Sequence, residues 1–402
     1  MPSLFRALHE RPFALLWSGQ TVSLLGDRVF QVALAWWVLE KTGSAAAMGT
    51  VMVFSILPML IFLLVGGVFV DRFPRLWLMV ISDVVRGLVI GLLAIFAFAG
   101  WLTIWHVYLL SLVSGFVEAF FRPAYSAAVP EITPQEHLTS ANSLTSLSNQ
   151  IGGIMGPAVG ALIVALGGTP LALALDALSF FVSALCLMPL LTFATQSHNK
   201  AQGMVHEARQ GITTVMASPW LWVTIGIAGL SNIAYGGPME VVLPFLIKEY
   251  HQADVSVLGL FYSAASLGSL LAAIWIGRLP RLRRRGLILY GVWMVIGIMV
   301  IFIGLPIPIP AILVAALIIG ACNTTLGLVW VNTLQEMVPP DLMGRVTSID
   351  CLGSYLLLPL GYAIGGWAAE LVGVSMVFVI GGVLETTLIA LGLLHPQVRT
   401  LD

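Results

Sequence analysis

Gly67-Val68-Phe69-Val70-Asp71-Arg72-Phe73-Pro74-Arg75 is a short basic turn set between two long apolar runs. It is echoed as Gly277-Arg278-Leu279-Pro280-Arg281, with Arg72 and Arg278, and again Arg75 and Arg281, each 206 positions apart. A basic turn between apolar runs, recurring once per half, marks a duplicated membrane protein. Composition agrees: the chain is 59% hydrophobic and only 9% charged, against roughly 25% charged residues in ordinary globular domains. Its mean hydropathy is +0.99.

Working outward from that turn, twelve runs are long enough to cross a bilayer, because about 20 residues at 1.5 Å each span a ~30 Å hydrocarbon core. They cover 13–38, 45–69, 77–98, 102–124, 141–166 and 170–192 in the first half. The second half gives 219–246, 255–276, 286–304, 309–333, 345–369 and 373–394. The first run is too long for a signal-peptide core and has no small-residue cleavage site behind it, so it reads as an uncleaved helix. The fold class expected is an all-α membrane protein with two pseudo-symmetric six-helix halves, 1–192 and 219–402. The polar stretch 193–218 joins them as a cytoplasmic linker, and its part from Val205 to Met216 has the makings of a short helix on the membrane surface.

The positions of Lys and Arg set the orientation. With both termini inside, cytoplasmic segments hold Arg6, Arg11, Arg72, Arg75, Arg122, Lys200, Arg209, Arg278, Arg281, Arg283, Arg284, Arg285, Arg345 and Arg399, whereas outside loops hold only Lys41 and Lys248. A second match supports duplication: Gly156-Pro157-Ala158-Val159-Gly160-Ala161 aligns with Gly361-Tyr362-Ala363-Ile364-Gly365-Gly366 at an offset of 205. Small residues are common where membrane helices pack closely, which explains each glycine singly but not the shared spacing. Internal repeats of this kind build many secondary transporters.

The Gly67-x-x-x-Asp71-Arg72-x-x-Arg75 turn resembles the signature loop of the major facilitator superfamily, and span count, linker and halves extend that resemblance over the whole chain. Pro74 stands where the family usually has glycine, and Leu76 where it has a second basic residue. The resemblance implies that Asp71 and Arg72 help to hold an inside gate shut. Asp83 and Arg86, three apart and so on one helix face, are the expected partners. Gly152-Gly153-Ile154-Met155-Gly156-Pro157-Ala158-Val159-Gly160 resembles the fifth-helix motif of drug and proton antiporters in this superfamily. Glycines at 152, 156 and 160 form a smooth stripe, and Pro157 bends the helix.

Three further segments resemble the branch containing macrolide, tetracycline and siderophore exporters. They are Ser23-Leu24-Leu25-Gly26-Asp27, Asp176-Ala177-Leu178-Ser179-Phe180, and Val338-Pro339-Pro340-Asp341-Leu342-Met343-Gly344-Arg345. Around Pro238-Met239-Glu240-Val241-Val242-Leu243-Pro244 the chain looks most like Tap-like multidrug efflux pumps.

Ionisable groups inside spans are costly and mark function or pairing. Asp27 lies about 14 residues into its helix, near ~21 Å depth, and is a candidate proton site. Arg28 diverges from it by about 100° and needs a carboxylate on another helix, or water. Glu118 and Arg122 are four apart and can pair locally, so Glu118 reads equally as structural and as functional. Glu240 lies between Pro238 and Pro244, where breaks in the helix open backbone carbonyls to a cavity. The family places spans one, four, seven and ten around a central cavity, which puts Asp27, Glu118 and Glu240 on or near the path. That makes Asp27 and Glu240 the first candidates for proton or cation-substrate coupling, with Glu118 and Arg28 as further members of the coupling set. Glu385, in the twelfth span, is peripheral in the family and is expected to meet a polar partner or stay protonated. Asn232, Tyr235, Asn323, Trp330 and Asn332 are cavity candidates that suit a bulky amphipathic ligand; interfacial anchoring, as expected for Trp101 and Trp105, is the competing explanation for such aromatics.

Other classes are discounted. Cys186, Cys322 and Cys351 lack C-x-x-C spacing, so no disulfide framework, metal site or cofactor is expected. No phosphate-binding loop and no basic patch for nucleic acid is present in the sequence. The histidines fall at helix ends, tails and loops, which counts against a membrane-embedded enzyme. A narrow uptake carrier is the closer rival, but it would bring more polar groups to its cavity. The expectation is a monomeric exporter of hydrophobic or amphipathic small molecules in a bacterial cytoplasmic membrane, exchanging substrate for protons by alternating access.

Overall fold

The computed structural model describes residues 3–70, 73–193, 204–278, 284–339 and 342–401. Among them every regular element is helical, as the bilayer requires of segments whose N–H and C=O groups must be satisfied within one helix. The first four crossings are α1 (Arg11–Thr42), α2 (Ala45–Val70), α3 (Arg75–Phe98) and α4 (Ile104–Ile132). A 50-residue stretch, Leu138–Leu187, follows; at about 75 Å it would span the hydrocarbon core twice. It is broken at Gly168, whose φ of 72° and ψ of 173° are non-helical, a left-handed excursion that only glycine makes cheaply. The two arms are α5 (138–167) and α6 (169–187). The second half supplies α7 (Pro219–Tyr250), α8 (Val255–Ile276), α9 (Arg285–Ile303), α10 (Ile309–Met337), α11 (Met343–Val372) and α12 (Val374–Leu393). The twelve expected spans are therefore present, with ends shifted by a few residues.

In the linker region a helix forms at Met204–Ala217. Gly211 does not interrupt it: a Cβ there would lie 2.7 Å from Ile349 Cδ1, so the missing side chain lets the linker helix dock against α11. Gln210 on the same helix accepts a hydrogen bond from Arg345. Of the basic turns, Gly67 belongs to α2 and Arg75 opens α3. Asp71, Arg72 and 279–281 lie outside the described residues.

Contacts divide the chain into two compact units, 1–42 with 54–200, and 43–53 with 201–402. The second thus includes the first turns of α2, which the sequence assigns to the first half. The physical reason is a glycine-to-backbone approach. A Cβ on Gly49 would lie 2.5 Å from the Tyr362 carbonyl oxygen, and one on Gly366 would lie 2.5 Å from the Ala45 carbonyl oxygen. Ser44 also donates to Glu370 there.

The sequence repeat reappears as repeated packing within each unit. In the first, α5 lies on α1, and a Cβ on Gly156 would be 2.5 Å from Arg28 Cβ. In the second, α11 lies on α7, and a Cβ on Gly361 would be 2.8 Å from Ile233 Cα. Gly361 is 205 positions beyond Gly156, and Ile233 is 205 beyond Arg28. Gly115 of α4 meets the Ser55 carbonyl of α2, while Gly320 of α10, again 205 on, meets the Ala265 carbonyl of α8. The same offset relates Gly168 to Gly373, the positive-φ residue between α11 and α12. Only small residues let membrane helices come this close.

Candidate functional site

Each unit holds its own cavity. That of the first is about 150 Å³ and is lined by residues of α1, α3, α4 and α5, among them Asp27, Arg86, Glu118, Phe121, Tyr125, Thr145 and Asn149. Its charges form a chain. Arg86 is hydrogen-bonded to Glu118, and Glu118 is held from its other oxygen by Arg122 Nε at 2.6 Å. The Arg86 guanidinium lies 5.3 Å from the Phe121 ring centre and 5.2 Å from that of Phe180, so aromatic faces shield it from lipid while adding cation–π attraction.

Three more carboxylates lie around Arg86. Asp83 is fully buried; its Oδ2 accepts from Ser183 Oγ at 2.7 Å and Gln20 Nε2 at 3.3 Å, and its Oδ1 has no hydrogen-bond partner among the described residues. Asp176 is also fully buried, and its Oδ2 has no hydrogen-bond partner among the described residues. Arg86 acts electrostatically on Asp27, Asp83 and Asp176, and Asp27 acts on the other two. The first unit therefore gathers four carboxylates about an arginine already engaged by one of them.

The cavity of the second unit is about 320 Å³ and is lined by α7, α9, α10, α11 and α12. Trp330 Nε1 donates to Asp350 Oδ2 at 2.8 Å, and Asn323 Nδ2 donates to the Tyr235 hydroxyl at 3.3 Å. Asn232 Nδ2 donates to the Ser354 carbonyl at 2.7 Å. Glu385, only 1% exposed, accepts from Ser231 Oγ at 3.1 Å, and its Oε2 has no hydrogen-bond partner among the described residues. Trp293 and Tyr355 complete the aromatic wall.

The two cavities are counterparts in the repeat. Moving 205 positions on takes Asp27 to Asn232, Glu118 to Asn323, Tyr125 to Trp330, Thr145 to Asp350 and Asn149 to Ser354, and all ten line the corresponding cavity. A hydrogen bond is repeated as well. The Tyr125 hydroxyl lies 3.5 Å from Thr145 Oγ1, as Trp330 lies beside Asp350. Each unit also has an Arg–Glu pair at a helix end, with the glutamates 205 positions apart but the arginines 210. Arg75, the first residue of α3, pairs with Glu131 at 3.1 Å, and Arg285, the first residue of α9, pairs with Glu336 at 2.6 Å.

Of the residues singled out in the sequence, Asp27 and Glu118 share the first cavity, and Asn232, Tyr235, Asn323 and Trp330 share the second. Asn332 is exposed and lines neither, because two positions past Trp330 is about 200° around the helix. Among the described residues Arg28 finds no carboxylate across helices: its Nη1 lies 3.5 Å from Gln31 Oε1 one turn on, and its stem fills the space left by Gly156. Glu118 and Arg122 pair as their spacing allows. Asp83 and Arg86 take partners on α1, α4 and α6, while Asp71 and Arg72 fall outside the described residues.

Glu240 sits in a widened turn, Gly237–Val242, where Pro238 cannot donate its hydrogen bond and crowds the preceding turn. It acts on Tyr235, Tyr262 and Tyr362 and lines neither cavity. The stripe of Gly152, Gly156, Pro157 and Gly160 is buried against α1 at Leu24, Arg28 and Val29. Asp350 and Glu385 are cavity residues that the sequence reading did not place there, and Gln20, Asp83 and Ser183 form a hydrogen-bonded group that it did not assemble.

The comparisons with known proteins agree with this architecture. The family model of the Major Facilitator Superfamily matches residues 16–356 and 240–400. Macrolide efflux protein A of Streptococcus pyogenes is 25% identical over 400 residues, covering 97% of each chain. Multidrug efflux pump Tap of Mycolicibacterium fortuitum is 26% identical over 403 residues, with 97% of each chain covered. Enterobactin exporter EntS of Salmonella typhi is 26% identical over 343 residues, 80% of this chain and 81% of that one. Among solved structures, a bacterial homologue of the iron transporter ferroportin in its inward-facing state superposes with a TM-score of 0.74 at 14% identity, over 96% of this chain and 99% of the other. The nucleoside transporter NupG gives 0.72 at 12% identity, over 95% and 98%. With matched residues running through nearly all of both units, this multi-pass membrane protein is a transporter and not an enzyme, and it belongs to the Major Facilitator Superfamily.

Proposed function

We propose that this chain is a secondary exporter of hydrophobic or amphipathic small molecules, driven by protons through alternating access. The observation that carries the reading is the charge cluster about Arg86 inside a membrane domain, in which Asp27 and Glu118 line the first cavity and the buried Asp83 and Asp176 do not. Such groups persist there only if paired, protonated or wet, and Glu118 already holds the arginine. Asp27 faces the cavity and is the assigned coupling carboxylate: it takes up a proton on one side and releases it on the other as access changes. Arg86 and Arg122 both hold Glu118, so its role is to position Arg86. Asp71 and Arg72 are assigned to the inside gate, and normal transport by Asp71→Asn would count against that.

The export direction is supported by the relatives, which are a macrolide efflux protein, a multidrug efflux pump and an enterobactin exporter. It fits the second cavity, whose walls are aromatic and amide rather than densely charged. The protein is assigned to a bacterial cytoplasmic membrane, as a monomer with both termini inside. The test is efflux of tetracycline, a macrolide and a lipophilic cation dye from cells, with and without a proton uncoupler. Uncoupler-sensitive efflux that Asp27→Asn abolishes is the expected result. Efflux untouched by both the uncoupler and the substitution would overturn the coupling assignment.

A further inference from the structure

We propose that the cavity of the second unit binds an organic cation, with Glu385 as its counter-ion and the indoles of Trp293 and Trp330 as its apolar walls. This rests on the exporter reading only in taking the bound cation to be the transported substrate. The argument begins with charge. Asp350 and Glu385 both line the cavity, and no Lys, Arg or His does among the described residues. Asp350 is satisfied by Trp330 and by Ser354 Oγ at 3.4 Å. Glu385 is almost fully buried, bonds Ser231 through one oxygen with the Trp293 indole acting on it as a further donor, and has an oxygen, Oε2, with no close hydrogen-bond partner among the described residues. A carboxylate withdrawn from water with no partner cation is unfavourable until one arrives.

The repeat shows where the internal cations went. The two arginines that hold the first cavity's carboxylate, Arg86 and Arg122, correspond at the offset of 205 to Gly291 and Gly327. A Cβ on either glycine would meet nothing within 4 Å. Conversely, Glu385 stands where the first unit has Phe180, the ring over which Arg86 lies. One unit thus supplies its own cation against an aromatic face. The other has its carboxylates at Asp350 and Glu385 and its indoles at Trp293 and Trp330, lacks both arginines, and has about 320 Å³ in place of about 150 Å³. That is within the ~300–1,000 Å³ usual for small-molecule sites. Trp330 is braced edge-on by Trp220 with ring centres 5.9 Å apart, so its indole is held in place to face an onium or ammonium group.

The test uses two ions of one shape and opposite charge, tetraphenylphosphonium and tetraphenylborate, with the purified full-length protein in lipid nanodiscs. Equilibrium dialysis should show saturable binding of the phosphonium and none of the borate. Glu385→Gln should weaken phosphonium binding at least about tenfold, or about 1.4 kcal/mol. Gly327→Arg, which restores the first unit's cation without deleting a contact, should weaken it by as much, and it decides the matter if Glu385→Gln fails to fold. Equal binding of both ions, or phosphonium binding within about twofold of wild type in folded variants, would overturn the proposal. So would a Glu385→Gln protein that binds normally yet loses uncoupler-sensitive efflux, since Glu385 would then be a proton site. Glu385-dependent binding by a protein that exports nothing would keep this inference and remove the exporter reading. Uncoupler-sensitive efflux without such binding would do the reverse.

Discussion

The first unit's cavity pairs Glu118 with Arg86 and Arg122 and sets Asp27 within their electrostatic reach, whereas the second has Asn232 and Asn323 at the corresponding places and its carboxylates at Asp350 and Glu385. The helix contacts beneath the two are the same, down to Gly156 on Arg28 and Gly361 on Ile233. Duplication has therefore preserved what sets backbone geometry, the glycines at the helix contacts, while the cavity side chains diverged. A shared scaffold with unlike linings lets one half specialise in a titratable network and the other in ligand contact. The cost of a buried charge falls on whichever half holds it.

The comparison can be broken first at Arg86. Arg86→Met leaves Glu118 with Arg122 alone and removes the cation that acts on three buried aspartates. It should lose about 3–5 kcal/mol of stability, the cost of breaking a buried ion pair from one side. Gly291→Met, at the corresponding place in the second unit, should be tolerated. Thermal unfolding of the two variants in detergent checks this, and similar losses in both would contradict the asymmetry. The shared scaffold predicts the opposite pattern at the glycine contacts. Gly156→Leu and Gly361→Leu should each destabilise by roughly 1–3 kcal/mol through overpacking, and a large inequality in the same unfolding assay would show that the repeats are not mechanically equivalent. The smallest effect is expected at Trp330→Phe. The indole donor to Asp350 is lost while Ser354 stays, a change of about 1 kcal/mol readable in the denaturation midpoint, and no shift would mean that the bond is not maintained.

Much of the architecture was legible because bilayer crossing imposes a length and a composition. Even the break at Gly168 falls between two predicted spans, and the glycine offset announced the repeated contacts before any helix was packed. The linker helix was legible too, though its docking against α11 depends on Gly211 meeting Ile349, which no local pattern encodes. Asp350 and Glu385 were not placed in the cavity for a different reason. A helix assigned to the periphery can still turn one face inward, and burial of that face depends on its neighbours. Part of the signal existed: carrying the offset of 205 through every ionisable position sets Thr145 against Asp350 and Phe180 against Glu385. Asn332 fails for the complementary reason, since presence on a cavity helix does not fix which side of that helix a residue occupies.

The most direct test of the division of labour is to measure two modes of transport by Asp27→Asn in proteoliposomes, using whichever of the three compounds the wild type exports. Exchange of labelled for unlabelled substrate at equal pH requires access to alternate but no proton to cycle, while efflux driven by a pH gradient requires both. The account predicts that exchange persists near the wild-type rate and gradient-driven efflux is lost. Loss of both together, or retention of both, would contradict the assignment of coupling to the first unit's carboxylate.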